Sequence, residues 1–276
     1  MLSLHTNNAA LAAQNSLSQT QGKLTTSMTR LSTGFRVNSA MDDAAGLQIA
    51  TRLKAQTSGM ATAMRNTQNA TSMIQTAGGA LAEVKNMLVR MKDLATQAAD
   101  GSSSSADVTA IGAEYADLKA EINNIMTNTS FGGTKLLKGE GFAAGAVSFQ
   151  IGATTDETMD VTVSALLTPL NTALGGLTAP TSNTTANAAI DTLSGLIDDV
   201  SEIDSKLGGA ANRLEHVHNN LANISSNTKA AIGRIMDTDF ATESANMTTQ
   251  QMLSQAGTAM LKQSNSMSSM VMSLLQ

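Results

Sequence analysis

The residues with the most versatile chemistry in this chain are two neighbouring histidines, His216 and His218, which follow Glu215. Two imidazoles beside a carboxylate would be suited to binding a metal ion. On a helix, however, residues two positions apart point about 200° away from each other. A zinc-binding helix instead places its histidines at i and i+4. The spacing therefore predicts an exposed polar face and no metal or cofactor site.

Two further patterns that occur in catalytic or ligand sites have simpler explanations here. The glycines of residues 139–145 approach the spacing of a phosphate loop, but no helix follows them, so they predict a hairpin turn. The acid pairs Asp42-Asp43 and Asp198-Asp199 could act as a general acid and base. Each lies where a helix would begin or expose a polar face, and neither has a nucleophile nearby. We therefore predict no enzyme activity.

Methionine is unusually frequent, with 17 residues, while there are only five Phe, one Tyr and no Trp. A methionine stripe can form a groove for peptides, but these methionines fall on the apolar seam of a helix, which indicates flexible core packing. The stripe consists of Met60, Met64, Met73, Met87 and Met91.

Composition excludes several other classes of function. The net charge is −5 and no basic stripe is interleaved with aromatic residues, so we expect no nucleic-acid partner. No stretch reaches the roughly 18 apolar residues of a membrane-spanning helix, so we expect no membrane insertion. The absence of cysteine excludes disulfides and thiolate chemistry.

A very long helix is the dominant predicted element. Apolar residues recur every three or four positions from Ile49 to Ala98, interrupted only by Gln56 and Thr67. We predict a helix over residues 41–99, capped by Ser39 and stopped at residues 100–101. At about 1.5 Å per residue it would be about 85 Å long, which predicts an elongated molecule.

The remaining pattern predicts a chain that runs out along this helix and returns. A second helix is expected at 105–128 and a small β-hairpin near 129–164, where the apolar period becomes two. Thr, Asn and both prolines then predict a variable loop near 165–187. Helical periodicity resumes near residue 188, with a break at 233–238. The fold class is mainly α: an elongated antiparallel helical coiled-coil rod in which the N- and C-terminal helices pair.

Both ends of the chain avoid charge while keeping a helical apolar rhythm. Residues 1–22 contain no Asp, Glu, Lys or Arg, and the last 33 residues contain a single charged residue, Lys262. An amphipathic helix without a partner is marginal in water, so we expect these ends to self-assemble. The predicted assembly seam comprises Leu17, Leu24, Met28, Leu31, Leu253, Ala256, Met260, Met267, Met270 and Leu274.

Four stretches in collinear order resemble bacterial flagellin. The most specific is RLSTGFRVNSAMDDAAG at residues 30–46. It is followed by LVRMKDLATQ at 88–97, NRLE with NL within 212–221, and RIMDTDFATE at 234–243. The resemblance covers nearly the whole chain except about 145–190. It indicates a short flagellin with little or no outer variable domain.

This resemblance implies a structural subunit that self-assembles into the helical, extracellular filament used for motility. It assigns residues 1–38 and 236–276 to an inner coiled-coil domain and 39–235 to the rod. Heterologous contacts between identical subunits generate an open helical polymer. Uncharged ends suit that packing, because no unpaired charge is buried between copies.

The family resemblance also implies a set of partners. Monomers would be secreted through the flagellar type III export apparatus with a flagellar export chaperone, and would fold under a cap protein next to hook-associated proteins. A host Toll-like flagellin receptor would detect the monomer. The positions that match its contact surface are Arg90, Leu94, Gln97 and Glu114.

Three alternatives remain open at this point. A hook-filament junction protein of the same superfamily shares the two-ended coiled coil but would not extend filaments. A flagellin-like scaffold carrying a metalloprotease would need a zinc motif. A secreted coiled-coil adhesin or translocator would have stable, folded ends as a monomer.

Overall fold

The computed structural model describes the backbone of residues 7–274 and the side chains of residues 7–267. The elements within this range are α1 (Asn8–Thr33), α2 (Ala44–Ala99), α3 (Ser105–Asn128), β1 (Ser130–Phe131), β2 (Thr134–Lys135), β3 (Ala146–Gln150), β4 (Thr158–Thr162), α4 (Ser164–Gly176), α5 (Asn183–Met236) and α6 (Phe240–Leu274). The predicted mainly helical class with a small β element is confirmed.

The chain divides into two compact units. The first takes Met1–Ala55 and Asn227–Gln276, and the second takes Gln56–Ser226. The boundaries between them lie within α2 and α5. The domain boundaries predicted from the sequence, after residue 38 and before residue 236, lie at the connections between helices instead. The assignment of an inner domain and a rod domain stays a prediction.

The first unit joins its helices through two connections that hydrogen-bond to each other. Gly34 ends α1 in the left-handed conformation, with φ +75°. The Arg36 amide donates to the Met236 carbonyl at 2.6 Å, and the Thr238 amide donates to the Gly34 carbonyl at 3.0 Å. The Asp239 carboxylate accepts from the Ala241 amide and the Thr242 hydroxyl at the start of α6. These hydrogen bonds, chiefly those from Thr242, lower the pKa of Asp239.

The start of α2 differs from its prediction. Ser39 does not cap the helix; its amide and hydroxyl donate to Asp42 in a turn that precedes it. Asp43 takes the capping role, since its carboxylate accepts from the Gly46 amide at 2.8 Å and its carbonyl accepts from the Leu47 amide. A carboxylate beside the exposed amides of the first turn also suits the helix dipole. The predicted end of α2 at Ala99 is confirmed.

The second unit has a core of large aliphatic side chains from its long helices. The seam of α2 from Ala70 to Leu94 is buried together with the seam of α5, which comprises Leu193, Leu196, Val200, Ile203, Leu207, Ala210 and Leu214. Tyr115 of α3 is fully buried in this cluster, and burial raises its pKa to about 12. The predicted bounds of α3 are confirmed, and a capping box between Ser104 and Asp107 fixes its start.

The β element consists of two antiparallel pairs within the second unit. Strand β1 pairs with β2 through a turn of two glycines, and β3 pairs with β4 so that Val147 lies opposite Val161. This confirms the predicted β-hairpin element. The prediction of a hairpin turn at residues 139–145 is wrong, because this stretch connects β2 to β3, which do not pair, and Gly141–Ala143 form a short 3₁₀ helix. At Gly141, with φ +52°, a Cβ atom would lie 2.6 Å from the Lys135 carbonyl oxygen. Only glycine fits such a position without strain.

The predicted loop near 165–187 is wrong at both ends, because residues 164–176 form α4 and α5 begins at Asn183, which leaves 177–182 as the connection. Leu167, Leu170 and Leu174 of this helix are buried in the core of the second unit. Their burial outweighs the hydrogen bond that Pro169 removes from the helix interior. Between β4 and α5 the chain contains only α4 and short connections, so no outer domain is inserted there.

Candidate self-assembly surface

Helices α1 and α6 form an antiparallel pair within the first unit. The Asn7 side-chain amide, near the start of α1, donates to the Ser264 carbonyl at 3.2 Å. Leu17 lies beside Gly257, since a Cβ atom added to Gly257 would be 3.4 Å from the Leu17 Cδ1 atom. At the other end, Arg30 lies 3.9 Å from Glu243. The predicted pairing of the terminal helices is therefore confirmed.

The α6 side of this interface combines small and polar residues with two larger apolar ones, Met247 and Leu261. The half-buried positions of α6 recur every three or four residues: Met247, Gln250, Ser254, Gly257, Leu261 and Ser264. The seam residues of α6 whose side chains are described, Leu253, Ala256, Met260 and Met267, are exposed instead. On α1, Leu17, Leu24 and Leu31 are half-buried, whereas Met28 is exposed. The predicted rhythm of α1 thus contributes to the pair, and that of α6 faces elsewhere.

The apolar residues of α6 form a separate stripe, which we call the outer face: Met252, Leu253, Ala256, Met260 and Met267. Ala256 is exposed, and the exposed fractions of the four larger residues range from 51% to 66%. At about 100° per residue, the five positions share an arc about 100° wide, beside the interface with α1. The side chains of Met270 and Leu274, the last two members of the predicted seam, lie outside the described residues. Large apolar side chains exposed in one stripe are typical of an interaction surface.

A cluster of charged residues lies at one end of the helix pair. Glu243 is buried, and its carboxylate lies beside Arg30, whose other nitrogen is 3.9 Å from Asp42. A groove of about 480 Å³ opens beside them, lined by polar residues that include Gln19, Lys23 and Asn246. The buried carboxylate thus has a cationic partner within the chain, and the outer face beyond it carries no charge.

The four positions matched to a receptor contact all lie in the second unit. The Arg90 Nε and Nη2 atoms donate to Glu114 Oε1 at 3.0 and 2.6 Å, which joins α2 to α3. Gln97 is exposed near the end of α2. Leu94 is buried, with 2% of its surface exposed. The structure therefore brings an ion pair and an amide to the surface, with Leu94 beneath them in the core.

The two histidines considered from the sequence lie on different sides of α5. His216 is exposed, whereas His218 is half-buried with its Nδ1 atom 3.3 Å from the Thr67 hydroxyl oxygen. Thr67 is itself buried and donates to the Met64 carbonyl. No group of three potential ligands that could hold a metal ion occurs among the described residues. In residues 7–274, no helix has the length and apolar character needed to cross a bilayer.

Two sequence profiles match this chain. The profile of the bacterial flagellin N-terminal helical region matches residues 4–141, and that of the C-terminal helical region matches residues 190–275. A flagellin from Halalkalibacterium halodurans is 38% identical over 250 residues, which cover 90% of each chain.

Solved structures agree with these matches. The crystal structure of Bacillus cereus flagellin is 34% identical and superposes with a TM-score of 0.51 over 57% of this chain and 88% of that chain. A structure described as a flagellar hook-associated protein from Vibrio parahaemolyticus has a TM-score of 0.57, covering 71% of this chain and 100% of that chain. Its identity of 16% supports a shared fold alone.

The long paired helices and these matches define a structural protein rather than an enzyme. The chain belongs to the bacterial flagellin family. It is a structural subunit of the flagellar filament, a homopolymer that connects to hook-associated proteins.

Proposed function

We propose that this flagellin polymerises through the outer face of α6, which packs against other copies of the same chain. The observation that carries this proposal is the separation of two surfaces on one helix. The half-buried stripe of α6, which includes the small and polar residues Gln250, Ser254 and Gly257, is used in pairing with α1. Four large apolar residues of the same helix, Met252, Leu253, Met260 and Met267, remain exposed. Removing this apolar surface from water would then favour assembly by about 25 cal/mol for each Å² buried.

The charge distribution supports identical copies as the partner. Residues 244–276 carry Lys262 as their single charged side chain. Copies of a charge-free surface can pack without repulsion and without burying unpaired charge. On α1, the predicted seam residues Leu17, Leu24 and Leu31 are half-buried, so they would stabilise the helix pair that presents this surface.

Seeded polymerisation combined with limited proteolysis tests this proposal. Dilute monomer and filaments grown from flagellin seeds are digested in parallel, and the fragments are located by mass. We expect the ends, about residues 1–38 and 236–276, to be cut in the monomer and protected in the polymer. Ends that are equally resistant in the dilute monomer would contradict stabilisation of the α1–α6 pair by assembly and would favour a coiled-coil adhesin or translocator.

The same experiment separates the filament role from the hook-filament junction role. A flagellin monomer should extend the seeds until the free monomer reaches a constant concentration. A junction protein should bind the seed ends without elongation. Binding in a fixed ratio to seed ends, with no growth in filament length, would therefore overturn the proposal in favour of the junction role.

We also propose that the filament is extracellular and that its monomers are secreted by the flagellar type III apparatus. An exposed apolar face is an aggregation hazard before assembly. A flagellar export chaperone bound to the C-terminal helix would cover that face inside the cell. A cap protein at the filament tip would retain the monomer while its ends fold.

Host detection is the remaining part of the proposal. We propose that the Toll-like flagellin receptor contacts the Arg90–Glu114 pair and Gln97, while buried Leu94 supports the helix surface beneath them. The pair is accessible, with about half of each charged side chain exposed. Arginine is one of the residues that most often dominates interface energy.

Replacement of Arg90 tests the receptor contact. For Arg90→Ala we expect the monomer concentration needed for half-maximal receptor signalling to rise about tenfold or more, as for an interface hot spot. Arg65→Ala is the matched control, because Arg65 is an exposed arginine on the same helix that bonds only locally, to Thr62. Equal potency of the two variants would exclude the proposed contact.

A further inference from the structure

The methionines of this flagellin range from fully buried to almost fully exposed. Met60, Met91, Met126, Met159 and Met236 are buried. Five others have more than half of their surface exposed: Met28, Met41, Met252, Met260 and Met267. Three of these exposed thioethers belong to the outer face of α6. Methionine is thus the main exposed apolar residue type on the surface proposed for assembly.

We propose that Met252, Met260 and Met267 form an oxidation site through which peroxides control assembly. A thioether lone pair attacks one oxygen of hydrogen peroxide, the O–O bond breaks, and a sulfur–oxygen bond forms. The proton left on the new oxygen passes to the departing hydroxide, which leaves as water. Sulfur is oxidised by two electrons and the peroxide is reduced by two. The product, methionine sulfoxide, is polar, and its formation can be reversed by sulfoxide reductases.

The consequence follows from where these side chains lie. A sulfoxide in water keeps its hydrogen bonds, so oxidation leaves the isolated monomer intact. On the outer face, assembly would bury the new sulfoxide oxygen against apolar side chains, where an unpaired acceptor is unfavourable. We expect oxidised monomers to add to filament ends about tenfold more slowly or worse, since each buried unsatisfied group is costly. This step rests on the proposed assembly role of the outer face.

Assembly should in turn protect the site. Peroxide reaches the outer face of a free monomer, whereas a neighbouring copy covers it in the filament. Peroxide would therefore oxidise these methionines in newly exported subunits and leave them reduced in subunits already incorporated. An oxidising environment would stop growth without dismantling the existing filament.

Peptide mapping by mass spectrometry tests the site directly. Dilute monomer and seeded filaments are treated with hydrogen peroxide, quenched and digested. In the monomer we expect oxidation at the three outer-face methionines and at Met41, which is 98% exposed and serves as the reference. Buried Met91 and Met126 should stay reduced in both samples. In the filament, the three outer-face residues should also stay reduced, and their oxidation at the monomer rate would overturn the protection.

Variants then connect oxidation to assembly. The triple variant Met252→Leu, Met260→Leu and Met267→Leu keeps the face apolar, and it should polymerise after peroxide treatment as it does before. The matched single variant Met41→Leu removes a more exposed methionine outside the outer face, and after peroxide treatment it should lose assembly like the natural chain. Circular dichroism before and after treatment verifies that helix content is unchanged. Treatment with methionine sulfoxide reductases should restore the growth of the natural chain.

The outcomes separate this inference from the function on which it rests. Failure of the untreated natural chain to extend seeds would contradict the assembly proposal itself. Normal growth of a natural chain fully oxidised at these three residues would overturn the oxidation switch and leave the filament role standing. Loss of assembly in the treated triple variant would also overturn it, because other groups would then be responsible.

Discussion

Met260→Lys is expected to stop filament growth while leaving the monomer folded. Met260 lies at the middle of the outer face and is 66% exposed, so a lysine there costs the isolated chain little. In the proposed contact between copies, the ammonium group would be buried without a partner. A penalty of about 3 kcal/mol or more follows. Since each 1.4 kcal/mol is about a tenfold change, the monomer concentration in equilibrium with filaments should rise at least a hundredfold.

Gln251→Lys is the matched control for this prediction. Gln251 is an exposed residue of the same helix, and the two variants add the same charge. It lies eleven residues from Lys262, which corresponds to about three helical turns and therefore to the same side of α6. Since Lys262 already places a positive charge on that side of α6, a second lysine there should be tolerated. Sedimentation of seeded samples should show near-normal growth for Gln251→Lys, and equal loss in both variants would contradict a role specific to the outer face.

The elements that sequence analysis predicted well are those with a long, uniform apolar period. The bounds of α3, the end of α2 and the β3–β4 pair agree with the structure, and a break does precede α6, although α5 continues to Met236, inside the predicted break at 233–238. In each case local signals and burial act in the same direction, as at the capping box of Ser104 and Asp107. Agreement between levels of this kind is what makes a segment predictable from its sequence.

Helix α4 was missed because its composition and its packing act in opposite directions. Threonine, asparagine and Pro169 indicate a loop, while Leu167, Leu170 and Leu174 recur every three or four positions, as on a helix face. The leucine spacing was present in the sequence. Only the core into which these leucines pack shows that burial outweighs the local preference.

The surface of α6 shows a different limit. The rhythm from Leu253 to Met267 correctly indicates an apolar stripe, but periodicity cannot tell which partner covers it. Within the chain, α1 packs instead on a stripe of small residues that includes Ser254 and Gly257. Such residues give a weak hydrophobic signal and allow close approach of the two backbones. An interface between copies and an interface within one copy therefore produce similar patterns in the sequence.

The polar contact between Thr67 and His218 was also beyond prediction. Thr67 was recognisable as one of two polar residues in the α2 seam, and His218 as a neighbour of the seam of α5. Their meeting at 3.3 Å depends on the register of two helices separated by a long stretch of chain. The small cluster of Met60, Ala63 and Leu221 is distinct from the main core of the second unit. Neither Thr67 nor His218, taken alone in the sequence, indicates the contact between them.

The second large effect is expected in the core of the second unit, for Leu88→Ala. Leu88 is fully buried on α2, and its truncation should lower the free energy of unfolding by about 2–5 kcal/mol through lost burial and an unfilled cavity. The chain contains one tyrosine and no tryptophan, and Tyr115 belongs to the same cluster. Tyrosine fluorescence during urea unfolding therefore reports on this core specifically.

The neighbouring residue supplies the matched control for Leu88→Ala. Val89 is 45% exposed on the same helix turn, so Val89→Ala removes apolar atoms that are largely in water. Alanine also has the higher helix propensity, by roughly 0.5 kcal/mol. The urea midpoint of Val89→Ala should stay unchanged or rise slightly, whereas that of Leu88→Ala should fall sharply. Similar midpoints for the two variants would mean that the α2 seam does not hold the core together, and the assignment of its apolar rhythm to packing within one subunit would have to be abandoned.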